Sequence, residues 1–413
     1  MLAEASEQYS RALKAGQSYC RNAVIKGQYP YPLVLDDILN ESYVAGYEDL
    51  GIVNIPAELF AGTKTAGRTP ALAGNFMPIL EPGSEFATKW IRLCADHLGD
   101  EGIRDPITCY EYLGRFYVAE GNKRLSVLLS YDSPSVTGHV IRIVPRYSED
   151  RTVQLYYEFM HFYTLSHLYG VEFHHRGSYA KLQAALGFEA EHVWTEVERR
   201  SFSAGFRYFR NALKKHRPEE IGLTDAEVLL IWLQVFSFSE IKELPAAELT
   251  RRLDNLWPDI LTQANASAIE LCTEPNAKGP GFFSRLLSFT RPDHLKIAFI
   301  YRCPPEEDLW TLAHDEGRQA LERRLGEQIS TKTYCAEHRN YAAAIEQAIE
   351  EGAELVFATT APMVNACRKA AALHPDVKIL ACALFQPYTG VRMYNGRTFE
   401  CKFITGAIAG VMT

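Results

Sequence analysis

The chain has 413 residues, a formal net charge of -8, 47% hydrophobic and 23% charged residues. That length predicts two to three domains, each with a core of its own, and the composition is ordinary for a globular protein. The acidic balance argues against broad, sequence-independent nucleic-acid binding and leaves DNA as an open question that only a local basic patch would answer.

Residues 1–20 alternate charged and apolar side chains at helical spacing. They show no basic segment followed by an apolar run and no lipobox-type cysteine, so the expected location is cytoplasmic, with membrane association only as part of a transporter. The nine cysteines are odd in number and include no C-x-x-C pair, which reads as reduced thiols. Residues 1–150 mix helix and strand signals, with strands expected at 51–56, 116–119 and 139–144. Residues 62–69 (GTKTAGRT) have P-loop spacing with Arg68 in place of lysine, but Pro70, Gly74 and Pro78 follow where a long helix is required. The better reading is a basic, glycine-flanked loop.

Residues 151–272 read as a helical domain. Helices are expected at 194–216, which includes the basic and aromatic run 206–215, and from Thr224, where Thr224 and Glu227 have capping-box spacing. The apolar run 228–238 contains Gln234 and is too short to cross a bilayer, so it reads as a buried helix. His167, Glu172, His174 and His175 do not have zinc spacing, and no metal is expected there. Residues 273–292 form a Pro- and Gly-interrupted linker.

From 293 the pattern becomes strand–helix–strand–helix–strand. The expected strands are 295–301, 355–359 and 377–384, and the expected helices are 308–325, 341–351 and 363–373. Apolar strands alternating with helices predict a parallel sheet, which binds ligands at the carboxyl ends of its strands. Those ends are residues 301–310, 359–365 and 385–390.

Several motifs in this last part carry a resemblance. Residues 310–318 read WTLAHDEGR, 351–360 read EGAELVFATT and 374–378 read HPDVK. Residues 394–397 read YNGR, with Glu400 and GAIAG at 406–410 behind them. In order and spacing they resemble the first lobe of the basic membrane protein (BMP, PnrA-like) family of ABC-transporter substrate-binding proteins, in its cytosolic-regulator-like branch. The resemblance implies a Rossmann-like lobe of the type I periplasmic-binding-protein fold at 293–413. It also implies a purine-nucleoside-like ligand between two lobes, with an aromatic residue after the first strand, here Trp310, stacking on the base. His314, Thr359 and Thr360 would supply polar contacts, and Glu307 is the acidic residue three positions before the tryptophan. Ala383 stands near the position where nucleoside-binding members hold the ribose with an acid, so the ligand is expected to differ from a plain nucleoside. The resemblance stops before the family's second lobe, which a continuation of the chain or an oligomeric partner would supply.

In the first region, residues 116–127 (FYVAEGNKRLSV) form a strand, a G-x-x-R turn and a helix start. They resemble the phosphate-contacting box of ParB/sulfiredoxin-like domains. This implies an α+β domain over 1–150, with nucleotide phosphate held by Gly121, Asn122, Lys123 and Arg124. Lys64 and Arg68 are expected to join them in one anion site.

The expected architecture is therefore a multidomain α/β and α+β protein. No acid/base couple or activated nucleophile stands out, so no catalytic residue, no metal and no cofactor beyond a nucleotide at Gly121–Arg124 are expected. The expected function is an intracellular sensor or regulator binding a nucleoside-like small molecule. Two other readings stay open: the solute-binding component of a nucleoside importer, partnered by an ABC permease, and a ParB-like nucleotide-dependent DNA-binding regulator or enzyme.

Overall fold

The computed structural model describes residues 1–99, 102–103, 105–216, 218–264, 294–384, 388–396 and 398–412. The expected linker at 273–292 lies outside them, as do Arg397 and the side chains of Arg68 and Glu400. The chain divides into two compact units, Met1–Ala180 with Glu191–Arg199, and Lys181–Ala190 with Arg200–Thr413. The helices from 200 onward thus belong with the C-terminal sheet, and those of 151–166 with the N-terminal one, in place of a separate helical domain over 151–272.

The first unit contains α1 (Leu2–Ile25), β1 (Leu33–Val34), α2 (Leu35–Ile38), β2 (Val44–Pro56), β3 (Phe60–Thr63), α3 (Glu85–His97), β4 (Ile107–Tyr112), β5 (Arg115–Glu120), α4 (Asn122–Ser130), β6 (Ser135–Pro145) and α5 (Arg151–Ser166), and α6 (Ser178–Ala185) begins in it. Its six strands form a mixed sheet in the order β1-β3-β5-β4-β6-β2. On one face the buried Tyr9, Trp90, Phe116, Leu125 and Val140 make a core beneath α1, α3 and α4. Burying a large apolar side chain of this kind contributes about 1.5–3 kcal/mol.

The glycine of the suspected P-loop has a packing role. A Cβ on Gly62 would lie 1.9 Å from the Leu33 carbonyl oxygen, so glycine is what lets β1 lie against β3. A 3-10 turn with Pro70 inside it (Ala66–Ala71) follows, where a P-loop needs a long helix.

The second unit begins with α7 (Glu196–Leu213, in this unit from Arg200), α8 (Asp225–Leu233), α9 (Phe238–Glu243) and α10 (Ala246–Ala264). Thr224 and Glu227 make both bonds of a capping box at the start of α8. The rest is β7 (Leu295–Tyr301), α11 (Leu309–Leu325), β8 (Ile329–Cys335), α12 (Tyr341–Glu350), β9 (Leu355–Ala358), α13 (Val364–Leu373), β10 (Lys378–Cys382), β11 (Val391–Tyr394) and α14 (Thr398–Met412). The sheet order is β11-β10-β9-β7-β8 and every pairing is parallel. Ile345, Val364 and Cys367, on α12 and α13, pack with Ile300 and Val356 of β7 and β9. Leu321 and Leu325 of α11 pack with Ile297, Phe299 and Tyr301. Successive β7 residues belong to the two clusters in alternation, so the helices cover both faces of the sheet. This is a doubly wound layer with its topological switch point between β7 and β9, the place where such sheets open a crevice at the strand ends.

The helices α8–α10 dock on α13. Asn255 donates to the Ala372 carbonyl at 2.7 Å, Lys369 reaches Glu240 at 2.8 Å, and Arg368 donates to Gln234 at 3.2 Å. Asp259 accepts from the Thr389 amide at 2.7 Å. These bonds are why the helical segment belongs with the sheet.

Candidate ligand-binding site

Helix α11 starts at Asp308, whose carboxylate accepts from the Thr311 amide at 2.9 Å and its hydroxyl at 2.7 Å and pairs with Arg302 at 2.6 and 3.0 Å. Arg302 first, and then these bonds, hold the Asp308 carboxyl well below the usual range. Two turns on from Asp308, Asp315 is buried and accepts from Tyr301 at 3.0 Å, from Arg318 at 2.7 Å and from Gln319 at 2.7 Å. Arg318 also donates to Thr331 of β8 at 2.9 Å. Asp308, Thr311, Asp315 and Arg318 of the 308–318 segment therefore fasten α11 to the ends of β7 and β8.

With the helix so fixed, Trp310 stands at the switch point. Its Nε1 donates to the Thr359 carbonyl, just past β9, at 2.7 Å. The bond ties the loop after β7 to the loop after β9 and leaves the indole 38% exposed. His314 lies 5.2 Å from Trp310 between ring centroids, and its Nδ1 donates to the Trp310 carbonyl at 2.9 Å. That bond requires the proton on Nδ1, so the neutral ring keeps Nε2 as an acceptor.

Tyr394 at the end of β11 continues the row. Its ring lies 6.2 Å from His314 and 5.8 Å from Phe357, and Phe357 stacks on Phe299 at 4.7 Å. Burial pushes the Tyr394 phenol upward. Trp310, His314 and Tyr394 make an aromatic row along the strand ends. The YNGR motif contains Tyr394, but a phenol at a strand end gives no signal of its own until β11 is placed beside β10.

The other expected residues have distinct positions. Thr359 is 1% exposed and its hydroxyl donates to the Ile300 carbonyl at 2.7 Å. The hydroxyl thus ties the residue just past β9 to β7. Thr360 is half-buried and makes no capping bond with its hydroxyl. Glu307 is exposed on a single 3-10 turn, Pro305–Glu307. Ala383 is buried after β10, and its amide donates to the Tyr394 carbonyl at 3.2 Å.

In the first unit, Gly121 caps α4 with φ 95, and a Cβ there would lie 2.6 Å from Cγ2 of Ile107. Asn122 is 7% exposed, and its Oδ1 has no hydrogen-bond partner. Lys64 pairs with Asp36 at 3.3 Å and sits over the Tyr110 ring at 5.4 Å, Lys123 sits over the Phe86 ring at 5.1 Å, and Arg124 donates to the carbonyls of Asp105 and Pro106 at 2.9 and 2.8 Å. The three described cations thus turn to three different neighbours.

One cluster had no sequence signal. Glu111, Arg142 and Tyr156 are buried together, with the half-buried Tyr169 bonded to Arg142.

No protein-family model matches the chain. A purine-binding protein of Brucella abortus (strain 2308) is 30% identical to it over 123 residues, which are 29% of this chain and 35% of that protein. The chain spans about a third of the length of the curated relative it matches.

Proposed function

We propose that the C-terminal sheet binds a purine or purine nucleoside at its strand ends, and that the chain is an intracellular ligand sensor rather than an enzyme. The carrying observation is the Trp310–Thr359 bond, which fixes an indole face at the switch point with its N–H already used. A stacked base would contribute on the order of 1–3 kcal/mol on such a face. His314 Nε2 and the Thr360 hydroxyl supply an acceptor and a donor for the edge of the ring, and Tyr394 flanks the same crevice. Similarity to a purine-binding protein supports the ligand class. The docking of α8–α10 on α13, which begins a few residues after Thr360, supports a sensing role. The test is calorimetry of the chain with adenine, hypoxanthine, adenosine and inosine. Saturable binding that is lost in Trp310→Ala is expected, and binding that ignores this change would refute the site.

A second reading rests on Asn122. Its unpartnered Oδ1 at the N-terminus of α4 behind Gly121 favours a nucleotide in the first unit, its phosphates at that helix end and an amino or ribose N–H or O–H group on Asn122. Nucleoside triphosphate binding that survives Trp310→Ala and is lost in Asn122→Ala would establish that reading.

A further inference from the structure

We propose a second small-molecule site, in the first unit, that takes a single neutral six-membered aromatic ring. The β4–β5 hairpin, α5 and residues 169–179 line a half-open pocket of ≈ 130 Å³. That is about the space one benzene-sized ring occupies in an apolar protein cavity.

Its walls come from regular features of the fold. Thr152, Leu155, Tyr156 and Phe159 line it from one face of α5, at helical spacing. Phe159 is the central ring, with centroids 5.8 Å from Tyr156, 5.4 Å from Tyr169 and 6.0 Å from Tyr179, and Phe173 meets Tyr179 edge-on at 4.9 Å. The tip of the hairpin closes one side with Leu113.

The chemistry of the lining selects the ligand. The phenol groups of the cage are already engaged: Tyr156 donates to Glu111, Tyr169 accepts from Arg142, and Tyr179 donates to the Val171 carbonyl at 3.1 Å. The rings therefore offer carbon faces and edges, which suit another aromatic ring. At the mouth, Arg115 and Glu172 form a bidentate pair at 2.7 and 2.9 Å. Each satisfies the other, so an anionic ring would have to displace Glu172 and a cationic ring would have to displace Arg115. A neutral ring with one small polar substituent leaves the pair intact.

Leu113 adds an independent observation. It stands in the left-handed region at φ 50, followed by Gly114 at φ 78, in a two-residue hairpin whose first position favours Asn. Its isobutyl group lines the cavity in spite of that backbone preference.

The experiment is calorimetric and thermal-melting titration of the full chain with phenol, benzoate and benzylamine. Phenol should raise the melting temperature saturably and bind more tightly than either charged ring. Leu113→Asn suits the turn and removes the wall, so it should fold at least as well and bind phenol about tenfold or more weakly. Leu155→Trp, which fills the space, should abolish binding, whereas Trp310→Ala should leave it unchanged. Absence of a saturable phenol effect, equal affinity in Leu113→Asn and Leu155→Trp, or tighter binding of a charged ring would each overturn the proposal.

Discussion

Arg142 donates from Nε to Glu111 Oε2 at 2.6 Å, with the two side chains 2% and 0% exposed. The carboxylate also accepts from the Tyr156 hydroxyl at 2.7 and 2.6 Å and from the Gly114 amide at 2.7 Å, while Arg142 donates to Tyr169 at 2.8 Å. A charge pair this deep is stable only while both partners are present. Glu111→Ala should therefore cost about 3–5 kcal/mol in the urea unfolding of the first unit, whereas the double change Glu111→Leu, Arg142→Met should cost much less. Equal losses in the single and double variants would show that the pair is not the unit of stability.

Arg368 presents the opposite case. It is 4% exposed and stacked on Tyr388 at 4.0 Å, with Nε and Nη2 unpartnered. Burial pulls its pKa down. Arg368→Met keeps the length of the side chain and removes the unmet donors, so the second unit should gain about 1–2 kcal/mol in chemical denaturation. A loss of stability would mean that the Gln234 bond and the ring contact outweigh the desolvation.

On α10, Arg251 first and then Arg252 lower the Glu248 carboxyl from 4.5 to about 2. A folded pKa below the unfolded one stabilises fully above the unfolded value and is lost as pH falls through the folded one. The contribution of Glu248 should accordingly fade between pH 4.5 and about 2. Melting followed across that window should show a shallower acid limb in Glu248→Gln than in the parent.

Gly121→Ala forces a Cβ into a left-handed position and against Ile107. The backbone cost alone is about 1–2 kcal/mol, and the contact adds to it. Thermal melting should register a destabilised first unit, and unchanged melting would mean that neither the left-handed backbone nor the Ile107 contact carries a cost there.

Much of the second unit is legible in the sequence, because buried parallel strands such as β7 read as continuous apolar runs and their helices repeat at regular spacing. Strand β8 is not, since ISTKTYC is an edge strand with Ser330, Lys332 and Thr333 exposed, and β11 is only four residues long. The 310–318 motif marks the site, yet which of its residues face a ligand depends on bonds to partners distant in sequence. Thr359 illustrates this, because only the paired strands reveal that its hydroxyl belongs to Ile300. The Glu111–Arg142 pair joins residues 31 positions apart across β4 and β6, and neither has a local pattern that distinguishes it from a surface charge.

The tether at the switch point ends on a main-chain oxygen, so it does not depend on which side chain occupies position 359. The Trp310 bond itself therefore needs only the main chain at 359, while the Thr359 hydroxyl separately ties that position to Ile300. In directed evolution toward other heteroaromatic ligands, positions 314, 360 and 394 are thus the ones free to vary, while the tryptophan is the fixed point around which selectivity is rebuilt.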